Sequence, residues 1–185
     1  MDNNLNALAT AVYVATDDYL NTHPDILPAR PPSGYPPLIS DAELIVLGVM
    51  ETLLGFTSER RFIRYAHTHL SSMFPSIPQQ PGYNKRQRRL TAVMQQVMAY
   101  LATTTGLLGD DIWVVDSTPV ECGRSRETVT RSNLAGYAEY GYCASHSRYF
   151  WGMRLHLIST LHGLPVSYAV TGAKADERAT LLSML

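Results

Sequence analysis

The sequence has little cysteine, no long hydrophobic run and none of the common nucleophile or phosphate-loop signatures. Its two cysteines, Cys122 and Cys143, are too few for a disulfide framework in 185 residues and suit a reducing cytoplasm. No apolar stretch approaches the roughly 20 residues that span a bilayer, and the N-terminus lacks the basic start and apolar core of a signal peptide. No glycine-rich phosphate loop, Ser/His/Asp set or nucleophile elbow is recognisable. These absences predict a soluble, intracellular protein without a membrane segment.

The composition predicts a folded chain, and its charge is unevenly placed. Apolar residues make up 45% and charged residues 17% of the chain, which favours a packed core over disorder. The net charge of −1 conceals a basic block between residues 59 and 90. Because part of this block opens a predicted helix, where cations oppose the helix dipole, an external anion such as a DNA backbone explains it better than local structure does. A solvated helix face is the alternative. The block consists of Arg60, Arg61, Arg64, Lys85, Arg86, Arg88 and Arg89.

The first half of the chain has helical periodicity broken by proline-rich connectors. Ser40 and Glu43 have the spacing of a capping box, so a helix should begin there and end near Gly55. Two helices joined by a short turn and followed by a basic helix fit a helix-turn-helix-like DNA-binding unit. The apolar spacing predicts helices over 4–20, 40–55, 57–70 and 84–108.

The second half changes from helical to strand periodicity. The segment DIWVVD, which ends at Asp116, is typical of a buried strand, and the polar stretch 119–150 is expected to be irregular. Alternation over 151–160 and 165–171 predicts a β-hairpin, with Met153, Leu155 and Leu157 on one face and Arg154 and His156 on the other. A helix should begin at Asp176. We therefore expect two domains, 1–106 and 107–185.

Asp116 is the main candidate for chemistry. Burying an unpaired carboxylate is costly, so such a residue is usually hydrogen-bonded, paired or bound to a metal. A carboxylate fixed at a strand end suits a magnesium ligand. The alternative is an Asp that caps the following turn through Ser117 or Thr118.

Three other motifs are less specific. Cys143 and His146 have the spacing of half a zinc site, without a second close pair of ligands. The segment RYFW, residues 148–151, stands near several tyrosines and suits either a nucleic-acid surface or a loop packed by its own aromatic side chains. His156 is expected to be a polar residue on a strand face rather than a general base.

Four motifs together resemble an insertion-sequence transposase of the DDE class. They are VVDSTPVECGRSRE, GYCASHSRYFWGMRLHL, LHGLPVSYAVTG and KADERATLL, and they cover the chain from about residue 110 to 185. The narrower resemblance is to the insertion-sequence family numbered 982. It implies an RNase H-like catalytic domain whose first three strands form a meander. The expected fold class is thus α + α/β: a helical N-terminal DNA-binding region followed by the first strands and first helix of an incomplete RNase H-like domain.

The resemblance also implies roles for individual residues. Asp116 corresponds to the first catalytic acid and ligates Mg²⁺, whereas Asp176 caps a helix and is not the second acid. The arginines after the first strand, Arg124, Arg126 and Arg154, join the basic block as expected DNA contacts. The implied partner is DNA carrying the terminal inverted repeats of the element, bound by a homo-oligomer in the bacterial cytoplasm and nucleoid.

The resemblance further implies what the sequence lacks. In the family, the second and third catalytic acids follow the helix that begins near Asp176, and no such segments occur in these 185 residues. We therefore expect a C-terminally truncated, catalytically incomplete transposase, since two metal ions normally need several carboxylates. The alternatives are a non-catalytic DNA-binding repressor of the element and an unstable pseudogene product.

Overall fold

A computed structural model shows that the chain divides into two compact units, Met1–Leu101 and Ala102–Leu185. The expected boundary between residues 106 and 107 stays a prediction; the division by contacts falls a few residues earlier. The residues that the structure describes are 3–29, 35–106, 109, 112–144 and 147–185.

The first unit is helical, as the periodicity predicts. The capping box at the start of the second helix is confirmed, because Ser40 Oγ accepts from the Glu43 N–H and the Glu43 carboxylate accepts from the Ser40 N–H. A short 3-10 helix, Pro24–Ile26, interrupts the connector that follows the first helix. The α-helices are α1 (Asn3–Thr22), α2 (Asp41–Leu53), α3 (Glu59–His69) and α4 (Gln80–Thr104).

Helix α2 is the centre of the first core. Six of its residues are at most 2% exposed and, at about 100° per residue, surround the helix axis rather than occupying one stripe: Ala42, Leu44, Ile45, Val46, Leu47 and Met50. A helix that is apolar all round is covered on every side. The neighbouring helices α3 and α4 supply the remaining core side chains, including Phe62, Ala66, Leu70, Tyr83, Leu90 and Val93.

Helix α4 begins four residues earlier than its basic segment suggests, at Gln80 rather than at Asn84. Pro81 does not prevent this, because the first turn of a helix has no intrahelical partner for its N–H groups. Two contacts hold this first turn against α3: Glu59 accepts from Gln80 Nε2 at 3.1 Å and from Asn84 Nδ2 at 2.7 Å. The early start therefore has a tertiary cause.

The second unit is an antiparallel sheet with two short helices. Strand β3 is central: β1 pairs along one edge, and β4 and β2 pair along the other. The opposite edge of β1 has no strand partner among the described residues. The elements are β1 (Trp113–Gly123), α5 (Arg126–Arg131), β2 (Glu139–Cys143), β3 (Arg148–Thr160), β4 (Pro165–Gly172) and α6 (Glu177–Met184).

The predicted hairpin is confirmed. Strands β3 and β4 pair antiparallel from Met153↔Gly172 to Ser159↔Pro165, and Gly163 in the turn has a φ of 81°, which favours glycine. With β1 paired to β3, the three longest strands form an antiparallel meander. This is the strand order that the resemblance implies.

Two expectations for β1 are wrong. The strand does not end at Asp116 but continues to Gly123, and its first residues, Trp113–Val115, are exposed rather than buried. Pro119 is tolerated inside β1 because an edge strand can leave one N–H position unpaired. The irregular stretch is also shorter than expected, since α5, β2 and the start of β3 lie within it.

The two faces of this sheet differ in a way that the alternation alone does not predict. Ile158 and His156 face α6 and are 1% and 3% exposed. Met153, Leu155 and Leu157, which alternate with them, are only half-buried. The polar residues of β3 therefore lie on its covered face.

No helix among the described residues is long and apolar enough to span a membrane.

Candidate active-site cleft and basic surface

Asp116 lies within β1, opposite Leu157 of β3, and is exposed. Its Oδ1 accepts a hydrogen bond from the N–H of Ser117 at 2.8 Å. The argument from costly burial therefore does not apply, because water reaches this carboxylate. The bond to Ser117 is local, as the capping alternative proposes, but a strand and not a turn follows Asp116.

A small cleft of about 100 Å³ adjoins Asp116 where α6 crosses β1 and β3. The Glu177 carboxylate, a hydroxyl and an imidazole line it together with apolar side chains. The side chain of Asp116 lies on the opposite face of β1 from Ser117. Its lining residues are Val115, Asp116, Ser117, His156, Glu177, Leu181 and Met184.

Glu177 at the start of α6 is held by the sheet. Ser117 Oγ donates to Glu177 Oε1 at 2.7 Å, and the guanidinium of Arg154 forms an ion pair with the same oxygen. Arg154 also lies 3.4 Å from Ser117 Oγ and 3.4 Å from the carbonyl of Tyr142. The sequence alone does not indicate the contact between Arg154 and Glu177, because the two residues lie on different elements.

His156 is buried and hydrogen-bonded. Its Nε2 lies 2.9 Å from Thr171 Oγ1, and that hydroxyl donates its hydrogen to the Gly172 carbonyl at 3.2 Å. Because a hydroxyl has one hydrogen, Oγ1 must accept from an Nε2–H. This arrangement agrees with the expectation that His156 is a structural polar residue on a strand face.

The start of α6 confirms the expected role of Asp176. Its Oδ1 accepts from the N–H of Ala179 at 2.7 Å, which is the N-cap arrangement. Asp176 is therefore used by the helix terminus.

The Mg²⁺ that the resemblance implies has a partial donor set here. Mg²⁺ is usually bound by one or two carboxylates, with waters and phosphates filling its other positions. Asp116 is exposed and has one oxygen engaged by Ser117, so it suits one ligand position. Glu177 already holds Arg154 and Ser117. Within the described residues, no three His, Cys, Asp or Glu side chains lie together as metal ligands.

The basic block of the first unit is exposed except at one position. Arg60, Arg61 and Arg64 project from α3 on the side opposite its buried residues, and none of them forms an ion pair within the described part of the chain. On α4, Lys85 and Arg88 are likewise exposed. These five cations are available to a polyanion.

The side chains of Arg86 and Arg89 form hydrogen bonds within the first unit. Arg86 Nη2 pairs with Asp41 Oδ1 at 2.6 Å and Nη1 donates to the Ile39 carbonyl at 3.0 Å. Its side chain is only 20% exposed. Arg89 is exposed and donates to the carbonyl of Ala29 at 2.7 Å. The structure thus gives Arg86 a role in holding the start of α2, which the sequence does not indicate.

The predicted DNA contacts of the second unit lie in different surroundings. Arg124 is exposed and pairs with Glu121 at 2.8 Å, and this hydrogen bond lowers the pKa of the Glu121 carboxyl. Arg126 is the exposed first residue of α5. Arg154 is largely covered by its contacts with α6. The structure does not bring these three side chains together.

The less specific motifs also have defined positions. His146 lies outside the described residues, so the zinc prediction rests on Cys143 alone, which is buried. Residues 148–151 all lie in β3 but differ in exposure: Arg148 and Tyr149 are exposed, whereas Phe150 and Trp151 are only 4% exposed.

One comparison with known protein families gives a match in the second unit. Residues 107–185 match the family model described as the transposase DDE domain. This match supports a DDE transposase and a role in transposition. It covers the sheet, Asp116 and α6, which is less than half of the chain. No curated protein and no solved structure gives a significant match. The narrower relationship to family 982 stays a prediction.

Proposed function

We propose that this chain acts in DNA transposition, with the second unit derived from an RNase H-like DDE domain and the first unit binding the terminal inverted repeats of its element. The observation that carries the proposal is the transposase DDE match over the unit in which Asp116 lies on the first strand of an antiparallel meander. Asp116 is the proposed first acid of the site. A homo-oligomer that holds two DNA ends in the nucleoid belongs to the same proposal.

Asp116 would contribute one carboxylate to a hydrated Mg²⁺, and the bound metal would supply activation of the attacking oxygen. The chain's own contribution is rigid placement: β1 is paired along its length to β3, and the clamp formed by Ser117, Glu177 and Arg154 fixes α6 beside it. A site that holds two metal ions needs more carboxylate ligands than the single one that Asp116 provides. We therefore propose that the polypeptide by itself is catalytically incomplete.

The test measures metal binding and DNA cleavage separately. Titration calorimetry with Mn²⁺ should show weak binding to the wild-type chain that is lost in Asp116→Asn. Asp176→Asn is the matched control, because it removes a neighbouring charge while asparagine keeps the N-cap. Equal Mn²⁺ binding in all three proteins contradicts the role of Asp116. Mg²⁺-dependent nicking of end DNA by the wild-type chain contradicts catalytic incompleteness.

The second candidate is a DNA-binding repressor that occupies the element's ends without cutting them. The exposed cations of α3 and α4 favour it, because they need no metal to bind a phosphate backbone. Replacing Lys85 and Arg88 with alanine should reduce the salt dependence of binding to end DNA by about one phosphate contact per residue. Wild-type chain that shows no affinity for the repeats at low salt contradicts both candidates.

A further inference from the structure

The two strands around residues 139–152 present a cluster of exposed aromatic side chains, which we call the tyrosine platform: Tyr140, Tyr142 and Tyr149. These side chains are 55%, 47% and 80% exposed. Tyr142 and Tyr149 are direct cross-strand partners with ring centroids 5.0 Å apart. Large aromatic rings that remain this exposed on a rigid pair of strands are typical of a binding surface rather than of a core.

All three rings lie on one face of the sheet. Tyr140 pairs with Trp151 and Tyr142 with Tyr149, and side chains two residues apart on a strand share a face. By the same alternation along β3, Leu157, the partner of Asp116, lies on this face as well. Along a strand at about 3.3 Å per residue, Tyr149 and Leu157 are roughly 26 Å apart. The platform is therefore separate from the cleft beside Asp116.

A cationic helix borders the platform. Thr128 of α5 and the ring of Trp151 both crowd Gly123, since a Cβ there would lie 2.9 Å from Thr128 Cγ2 and 3.3 Å from Trp151 Cε3. Helix α5 thus lies beside Trp151, the cross-strand neighbour of Tyr140. Its two arginines, Arg126 and Arg131, are exposed and form no ion pair within the described part of the chain.

From this arrangement we propose that the tyrosine platform binds single-stranded DNA, with unpaired bases stacked on the rings and the phosphate backbone along α5. Exposed aromatic rings next to cations are the combination that binds single strands without base preference. A protein partner would not need the free arginines, and duplex DNA would not offer its base faces. The proposal deepens the proposed function, on which it rests, because a transposase meets unpaired bases where element ends open.

The test compares single-stranded and duplex DNA on the full chain. Fluorescence anisotropy with labelled oligo(dA) of about 20 nucleotides and with a duplex of equal length gives both affinities. The double variant Tyr142→Ala/Tyr149→Ala should bind the single strand between about 5-fold and 150-fold more weakly, as expected for loss of one stacked base or more. Its affinity for the duplex should change less than twofold. Phenylalanine at both positions keeps the rings and should restore single-strand binding.

The control variant is Tyr168→Ala. Tyr168 lies on β4 and is 39% exposed, so this variant removes an exposed ring away from the platform and should leave both affinities unchanged. Unaltered single-strand binding by the platform variant, or an equal loss for single strand and duplex, overturns the inference while leaving the proposed function intact. Absence of any DNA binding by the wild-type chain overturns both.

A second measurement does not depend on the alanine variant folding. 2-Aminopurine placed in the single strand loses fluorescence when it stacks on an aromatic ring. The wild-type chain should quench it, and the double phenylalanine variant should quench it equally. Unchanged fluorescence on saturation with wild-type protein overturns the proposal.

Discussion

Replacing Arg86 should cost stability, whereas replacing Arg88 should cost DNA affinity. The Arg86 guanidinium makes an ion pair with Asp41 at 2.6 Å and a bond to the Ile39 carbonyl at 3.0 Å, with the two charged side chains only 20% and 16% exposed. Bonds to charged groups contribute about 1.5–3 kcal/mol each, and fully exposed pairs less than about 1 kcal/mol. For this intermediate exposure we expect Arg86→Ala to lower the free energy of unfolding by about 2 kcal/mol.

The assay can report on the two units separately. Both tryptophans, Trp113 and Trp151, belong to the second unit, while the long helices that dominate far-UV circular dichroism belong to the first. With a urea m-value of about 2 kcal/mol/M, Arg86→Ala should lower the midpoint of the dichroism transition by about 1 M. The tryptophan transition should not move.

Arg88→Ala is the matched control for Arg86→Ala, since Arg88 is exposed two residues along the same helix and forms no ion pair within the described residues. It should change stability by less than about 0.5 kcal/mol and reduce the salt dependence of DNA binding by about one phosphate contact. If Arg86→Ala unfolds at the wild-type urea concentration, the structural role argued for this ion pair is wrong.

Three further changes test the packing, the capping and the pH dependence. Gly152→Ala should destabilise the sheet by about 3 kcal/mol or more, because its Cβ would lie 2.0 Å from the carbonyl oxygen of Val120. Gly82→Ala should stay near neutral, because its Cβ would meet only Pro78 Cβ, at an ordinary contact distance of 3.7 Å. Equal changes in the urea midpoint for the two variants would refute the close approach at Gly152. Asp176→Ala removes the N-cap of α6 and should cost about 1 kcal/mol in the tryptophan transition. Burial raises the pKa of Tyr83, so above about pH 10 the unfolded chain loses the phenol proton while the folded chain keeps it. The free energy of unfolding therefore falls as the pH rises above about 10. Tyr83→Phe should therefore lose less stability than wild type between pH 10 and 11, by up to about 1.4 kcal/mol, as measured by urea unfolding at both pH values.

The helices and the hairpin were predictable because their signals are local. The apolar spacing around α2 and the Ser40–Glu43 capping box depend on residues three or four positions apart. The β3–β4 hairpin depends on alternation and on a glycine in the turn. The start of α4 was missed because its cause is distant: Glu59, on another helix, accepts from Gln80 and Asn84.

The position of β3 was predictable from the sequence, but which of its two faces is covered was not. Alternation separates Leu155 and Leu157 from Arg154 and His156, and hydrophobicity alone places the leucines inside. The structure instead buries His156, which has a hydroxyl partner in Thr171, and leaves Arg154 half-buried in an ion pair with Glu177. Which face is covered depends on where α6 packs, and that information lies in another segment of the chain. The surroundings of Asp116 follow from the same packing.

The arrangement of Arg154 and Glu177 bears on how Asp116 is positioned. The ion pair joins the covered face of the sheet to the first turn of α6, and Ser117, adjacent to Asp116, donates to the same carboxylate. In β1, the side chain of Ser117 faces the helix, and the neighbouring Asp116 faces the opposite side. The clamp therefore holds the backbone of Asp116 from behind without consuming its carboxylate.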